Sequence, residues 1–170
     1  MEQRVDYMKV APGVLQAMLN LEKYLIQSGL ERELLDLVKL RASQINGCAY
    51  CIDMHWKDLR GEGASEQKLY GLDAWEESTY YTDRERAALA WTEAVTRLDD
   101  RQVSDPVFEL ARRFFSEKEL ADLTLCIVAI NGWNRLNIAF RQPAGTYEPK
   151  HRAARPEPGP RPAPPPQASH

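Results

Sequence analysis

From Pro12 to Phe140 the apolar positions recur every three to four residues, the spacing that gathers them on one side of an α-helix. No run alternates apolar and polar residues between hairpin turns, so the pattern predicts an all-α chain without a sheet. The first helix runs from about Pro12 to Ile26. Pro12 stands at a first-turn position, where its missing N–H costs nothing, and Val14, Met18, Leu21 and Leu25 form the apolar stripe. Ser28-Gly29 closes it. A second helix, about Glu31 to Ile45, uses Leu34, Leu37, Val38 and Ile45, and the turn pair Asn46-Gly47 joins it to a third that ends at Gly61 or Gly63. Ala64-Ser65-Glu66 opens a short helix toward Tyr70. Gly71 to Tyr81 reads as an irregular connection whose aromatics, Trp75, Tyr80 and Tyr81, are candidates to cover a site. Asp83 caps a helix from Arg84 to about Leu98, Ser104-Asp105-Pro106 starts another to Phe115, and Ser116 caps the last, Glu117 to about Phe140.

A chain of 170 residues with 44% apolar positions suffices for one domain with its own core. That domain, a helical bundle, is expected to span residues 1–148. Eight of the eleven prolines fall between Pro149 and Pro166, and such a segment can neither hold a helix ladder nor supply a core. Residues 149–170 are therefore expected to be a disordered, proline-rich tail that acts as an extended spacer rather than as a PxxP ligand.

Charge narrows the function. The net charge of −3 divides into four Lys/Arg against two Asp/Glu in residues 148–170 and 18 against 23, or −5, in residues 1–147. An acidic body speaks against nucleic acid, and the basic residues of the tail are too few and too separated for a polyanion or membrane anchor. No stretch approaches the roughly 18 apolar residues of a membrane span, and Met1-Glu2-Gln3-Arg4-Val5-Asp6 lacks a basic start followed by an apolar run. The chain reads as a soluble, cytoplasmic protein.

The chemistry gathers in the third helix, at Cys48-Ala49-Tyr50-Cys51-Ile52-Asp53-Met54-His55. Cys51 lies three and His55 seven positions beyond Cys48, which places all three side chains on one helix face. Cys48 is expected in the first helical turn, where unpaired N–H groups and the helix dipole stabilise a thiolate, the reactive form of cysteine. A second thiol within disulfide reach can condense with a sulfenic acid formed on the first, a cycle that suits peroxide reduction. Three cysteines make a poor secreted disulfide framework and fit a reducing compartment with one redox-active pair. Cys126, within the apolar run Leu123 to Ala129, reads as a small core residue. His55 is the sole histidine outside the tail, since His151 and His170 lie within it. Trp56, Trp91 and Trp133 read as packing rather than a substrate box, and Asn131, Asn134 and Arg135 as groups that satisfy helix termini and subunit contacts rather than bind a substrate's polar end.

The segment Leu37-Val38-Lys39-Leu40-Arg41-Ala42-Ser43-Gln44-Ile45-Asn46-Gly47-Cys48-Ala49-Tyr50-Cys51-Ile52-Asp53-Met54-His55 resembles the carboxymuconolactone decarboxylase superfamily, in its alkylhydroperoxidase D-like branch. Glu85 to Ala94 and Asn131 to Asn137 extend the resemblance over roughly Val10 to Tyr147. It implies an all-helical fold that assembles into homo-oligomers, trimers or hexamers, and a peroxidase acting on hydroperoxides. In that pattern Cys51 is peroxidatic, Cys48 is resolving, and His55 relays protons together with a carboxylate. An external dithiol or disulfide-reductase system would recycle the disulfide, with no metal, flavin or other cofactor. The family pattern places glutamate twelve residues before the first cysteine, a position held here by Asp36, one methylene shorter. Glu93 interrupts the apolar helix from Ala87 to Val95 and is the favoured relay carboxylate, on reach and apolar setting. Two alternatives use the same residues. A carboxymuconolactone decarboxylase-like lyase would leave the dithiol without a function, and a structural zinc module of Cys48, Cys51 and His55, with Cys126 or water, would lack the usual second ligand pair.

Overall fold

One helix in the chain has no side it can afford to show to water. In α3, Arg32–Asn46, Leu34, Leu35, Leu37, Val38, Leu40 and Ala42 are all buried, and these positions go round the helix rather than along one stripe. Such a helix must be covered on every side. In the computed structural model, which describes residues 2–149, it packs against three others: α4, Ala49–Gly61; α6, Asp83–Arg97; and α8, Glu117–Phe140.

The remaining helices are α1, Tyr7–Val10; α2, Pro12–Ile26; α5, Glu66–Tyr70; and α7, Asp105–Phe114, with single 3-10 turns at Gly71–Ala74 and Asp99–Arg101. Among the described residues there is no strand, so the chain is all-α as the periodicity predicted. Nor is any helix long and apolar enough to cross a membrane. The proline-rich tail, past Pro149, lies outside the described residues.

The helix starts follow their capping chemistry. Thr82, one residue before the expected Asp83, caps α6: its hydroxyl accepts from the Glu85 N–H while the Glu85 carboxylate accepts from the Thr82 N–H. Ser116 and Glu119 form the same reciprocal box at the start of α8. Each box satisfies two N–H groups that a helix leaves without partners. The four-residue α1 is too short to show a period, and no sequence signal marked it; its Tyr7 is nonetheless buried.

Three apolar clusters make the core. The largest, shared by α2, α3, α6, α7 and α8, includes Leu25, Leu34, Val38, Phe115, Leu123 and Ile127, and takes in Cys126 as predicted. The second gathers Leu37, Leu40, Leu59, Leu69, Leu72 and Leu89 with Trp75 and Tyr81. Each fully buried leucine contributes about 1.5–3 kcal/mol. Within Gly71 to Tyr81, Leu72, Trp75 and Tyr81 are thus core residues and Tyr80 is exposed, so Trp75 and Tyr81 pack in the second cluster and not over the cysteine pair, which lies in the third. An apolar residue without helical period can still be interior when the connection folds back on the bundle. In the third cluster Cys48 and Cys51 pack with Ala42 and Ile130, between α3, α4 and α8, with Tyr50 and Trp133 at its edge. Trp91 and Trp133 anchor packing with hydrogen bonds to Thr124 and Glu22.

Candidate active site

The joint between α3 and α4 fixes the first cysteine. Gly47 adopts φ 70°, ψ 31°, a left-handed conformation that costs glycine little. The Cys48 N–H then reaches back to the Ser43 carbonyl at 3.0 Å and the Gly47 N–H to that of Gln44 at 3.2 Å, closing the end of α3. Cys48 is the next residue and becomes the N-cap of α4 rather than a member of its first turn. Cys51, three residues on, is the one inside that turn. The two are joined as a disulfide with their Cα atoms 5.4 Å apart. Both are almost wholly buried.

His55 stands one helical turn after Cys51, on the same face, and is 5% exposed. The α3–α4 hairpin brings Asp36 against it, with Asp36 Oδ1 3.4 Å from His55 Nδ1. That contact is long and poorly aligned for a hydrogen bond, and His55 Nε2 has no hydrogen-bond partner among the described residues. Burial by itself raises the Asp36 pKa. The approach and charge of His55, helped by Lys39 and by Arg32 at 3.7 Å, outweigh it and hold the carboxyl below its ordinary value.

Glu93, the favoured relay carboxylate, is placed elsewhere. Its Oε1 accepts from Arg41 Nε and from Trp75 Nε1, both at 2.8 Å, and its Oε2 accepts from Arg97 Nη1 at 2.6 Å. Burial raises its pKa, but Trp75 and the two guanidiniums bring it below the ordinary value. Arg41 is 5% exposed and also meets Asp73 and Gln44, so Glu93 neutralises a buried cation. The apolar flanks of Glu93 did indicate a buried acid; the partner came from α3, where Arg41 gives no sign in sequence of facing inward.

The structure also brings forward residues that the sequence reading passed over. Asn137 of α8 donates from Nδ2 to Cys51 Sγ at 3.3 Å, and Tyr7 donates its hydroxyl to Asn137 Oδ1 at 3.0 Å. Asp58, one turn after His55, accepts from the Tyr147 hydroxyl at 2.8 Å, and burial raises its pKa. No motif announced these contacts, because each joins segments far apart in the chain. Asn131 and Asn134 both accept from Asn46 Nδ2, at 2.8 and 2.9 Å, and Asn134 donates to Ser43, which ties α8 to α3. Of the roles expected for these residues, the one seen here is to satisfy polar groups where α3 ends.

A cleft of about 430 Å³ opens beside the disulfide, between the start of α4 and the end of α8. Gly47, Cys48, Tyr50, Asn137, Ile138 and Arg141 line it, and Cys51 does not. A smaller cleft, about 120 Å³, reaches Asp36 beside Glu22, Arg32 and Lys39. Cys126 packs in a different cluster from the pair, its thiol directed at the Leu35 carbonyl, so it is not the fourth ligand of a zinc site on Cys48, Cys51 and His55.

Comparison with known proteins shows the family. The Carboxymuconolactone decarboxylase family profile matches residues 12–94, a span that holds both cysteines, Asp36 and His55. The uncharacterized protein YdfG of Bacillus subtilis (strain 168) is 43% identical over 140 residues, which cover 82% of this chain and 95% of YdfG. A crystal structure from Agrobacterium tumefaciens, of a protein of unknown function and candidate antioxidant defence protein AhpD, matches with a TM-score of 0.82 at 43% identity. That match covers 86% of this chain and 100% of the other. The debrominase Bmp8 shares the fold, with a TM-score of 0.73 at 22% identity over 82% of this chain and 75% of its own. With a relative this similar over nearly its whole length, and with the CxxC pair and histidine on one buried helix face, the chain belongs to the carboxymuconolactone decarboxylase family, in its alkylhydroperoxidase D-like branch.

Proposed function

We propose that this chain is a thiol-dependent peroxidase that reduces alkyl hydroperoxides through the Cys48–Cys51 disulfide. The observation that carries this reading is the placement of that disulfide one turn before a buried histidine that faces a buried aspartate, beside a cleft. Cys51 attacks the peroxide as a thiolate: its sulfur takes one oxygen, the O–O bond breaks, and the departing alkoxide takes a proton from His55. Asp36 holds the imidazole in place and balances its charge while it is protonated. The Cys48 thiol then attacks the sulfenic acid on Cys51, forming the disulfide and releasing water. A dithiol or disulfide-reductase system returns the pair to thiols at the cost of its own oxidation. The arrangement asks for no metal or organic cofactor. We place this cycle in the cytoplasm, in a trimeric or hexameric assembly, because a reducing compartment supplies the dithiol and the resemblance implies the oligomer.

The decisive experiment follows peroxide consumption with a dithiol reductant in the wild type and in two single variants. Cys51→Ser is expected to lose turnover. Cys48→Ser should form a sulfenic acid at Cys51 that a sulfenic-acid reagent traps, and should stop there. An adduct at Cys48 in the Cys51→Ser protein, with none at Cys51 in the other variant, reverses the two roles. Activity that survives loss of both cysteines removes the peroxidase reading and favours the lyase.

A further inference from the structure

We propose that Asn137 is a catalytic residue of this site, donating an amide hydrogen bond to the Cys51 thiolate, and that Tyr7 is the positioning residue that aims it. The proposal rests on the thiol-peroxidase reading for the roles of the two sulfurs, and on separate geometry for the donor. Asn137 Nδ2 stands 3.3 Å from Cys51 Sγ, and Tyr7 donates to the amide oxygen at 3.0 Å. Asn137 is 4% exposed and Tyr7 2%, so solvent does not compete for either bond. Burial pushes the Tyr7 phenol up to about 12, which keeps its proton in place across the working range.

This chain of donors has a direction. An amide can be turned either way round, but with the Tyr7 proton directed at its oxygen, its own N–H groups must face the sulfur. The reversed amide would set a carbonyl oxygen against a thiolate, two electron-rich groups in a dry setting. The backbone holds that direction. Asn137's carbonyl accepts from the Gln142 N–H at 2.9 Å at the end of α8, and the N-terminal segment is fastened there as well. Arg4 N–H donates to the Phe140 carbonyl at 3.0 Å, Gln3 Nε2 to Gln142 Oε1 at 2.9 Å, and the Tyr7 and Phe140 rings lie 5.7 Å apart. The segment before α2 thus fixes the amide over Cys51.

An uneven pair of sulfurs follows. Cys48 lines the cleft while Cys51 lies behind it, where Asn137 and the first turn of α4 meet any negative charge. When the thiolate of an external dithiol attacks Cys48, a new S–S bond forms there, the Cys48–Cys51 bond breaks, and its electron pair leaves on Cys51 as a stabilised thiolate. The second thiol of the reductant then releases Cys48, and the reductant departs as a disulfide. The same donor keeps Cys51 ionised for its attack on peroxide.

The test uses reduced protein carrying Cys48→Ser, so that Cys51 is the reactive thiol; burial pushes the Cys126 thiol up to about 12, out of range. The rate of alkylation of Cys51 by iodoacetamide, located by mass spectrometry, is measured against pH. Asn137→Leu is expected to raise the midpoint by about one unit or more, the size of a hydrogen bond to a charged group, and Tyr7→Phe to raise it by less. With Cys48 restored, both changes should slow reduction of the disulfide by dithiothreitol. An unchanged midpoint in a folded Asn137→Leu protein overturns the proposal. If that protein does not fold, Tyr7→Phe, which removes one oxygen, decides alone, and no shift in it overturns the proposal equally. A wild type that consumes no hydroperoxide while Asn137→Leu still moves the midpoint refutes the peroxidase reading and leaves the donor standing.

Discussion

Asp36 and Glu93 are two acids on neighbouring helices, and their surroundings give them opposite tasks. Asp36 faces a neutral or cationic imidazole and has one oxygen without a hydrogen bond, so it can respond when a proton moves. Glu93 is held by Arg41, Trp75 and Arg97 and has no slack. Asp36→Asn is expected to lower the rate of peroxide attack about tenfold to a hundredfold and to alter its pH profile, because the amide cannot balance a protonated His55. Glu93→Gln should leave the rate of attack within about twofold and lower stability by about 2 kcal/mol, since Arg41 loses a charged partner in a buried position. Stopped-flow peroxide consumption with urea denaturation separates the two. A rate loss in Glu93→Gln alone would give the relay back to Glu93.

Among the elements, the start of α8 carries a pH signature. The Ser116 backbone N–H donates to the Glu119 carboxylate, and Arg84 and the Ser116 hydroxyl add to its hold, bringing the Glu119 pKa from 4.5 down to about 2. A carboxylate whose pKa falls on folding stabilises the protein above its unfolded value, and the benefit disappears as pH falls through the folded value. Glu119→Gln should therefore be less stable than the wild type at neutral pH. The gap in urea midpoint is expected to close between pH 4.5 and about 2. A gap that stays constant over that range would show that the box, not the charge, supplies the stability. The helix matters beyond its own ends, because Asn137, near its far end, is the group that meets Cys51.

For the whole molecule, α3 supplies residues to all three clusters and binds them into one body, with α8 joining it in the first and third. Removing residues 150–170 is expected to leave the melting temperature within about 2 °C and the reactivity of Cys51 unchanged, since a segment with few apolar residues has nothing to bury. Sedimentation of the same shortened protein checks the assembly: a trimer or hexamer should persist, and a monomer would show that the tail joins subunits. Val128 and Ile138 on α8 and Val14 and Leu19 on α2 are large apolar side chains open to solvent in the single chain, and they offer surface for such contacts.

The sequence by itself determined the helices from α2 onward, their order and the cysteine–histidine face, because helix period, caps and i, i+3, i+4 neighbours are local properties that a few adjacent residues fix. It also showed Cys126 as core. The short α1, with nothing periodic to display, and the inward fold of Gly71 to Tyr81 escaped it, since burial of an irregular segment depends on what lies across from it. The same limit governed the site. Whether Asp36 or Glu93 met His55 was a matter of which face of α3 turned toward α4, and Arg41 settled it from one and a half turns away on the same helix. Asn137 stands 86 positions from Cys51 and 130 from Tyr7, and only tertiary packing brings three such distant groups within hydrogen-bond reach. A buried amide carries no charge or motif to announce its partner, and its meaning comes from the one sulfur it was folded against.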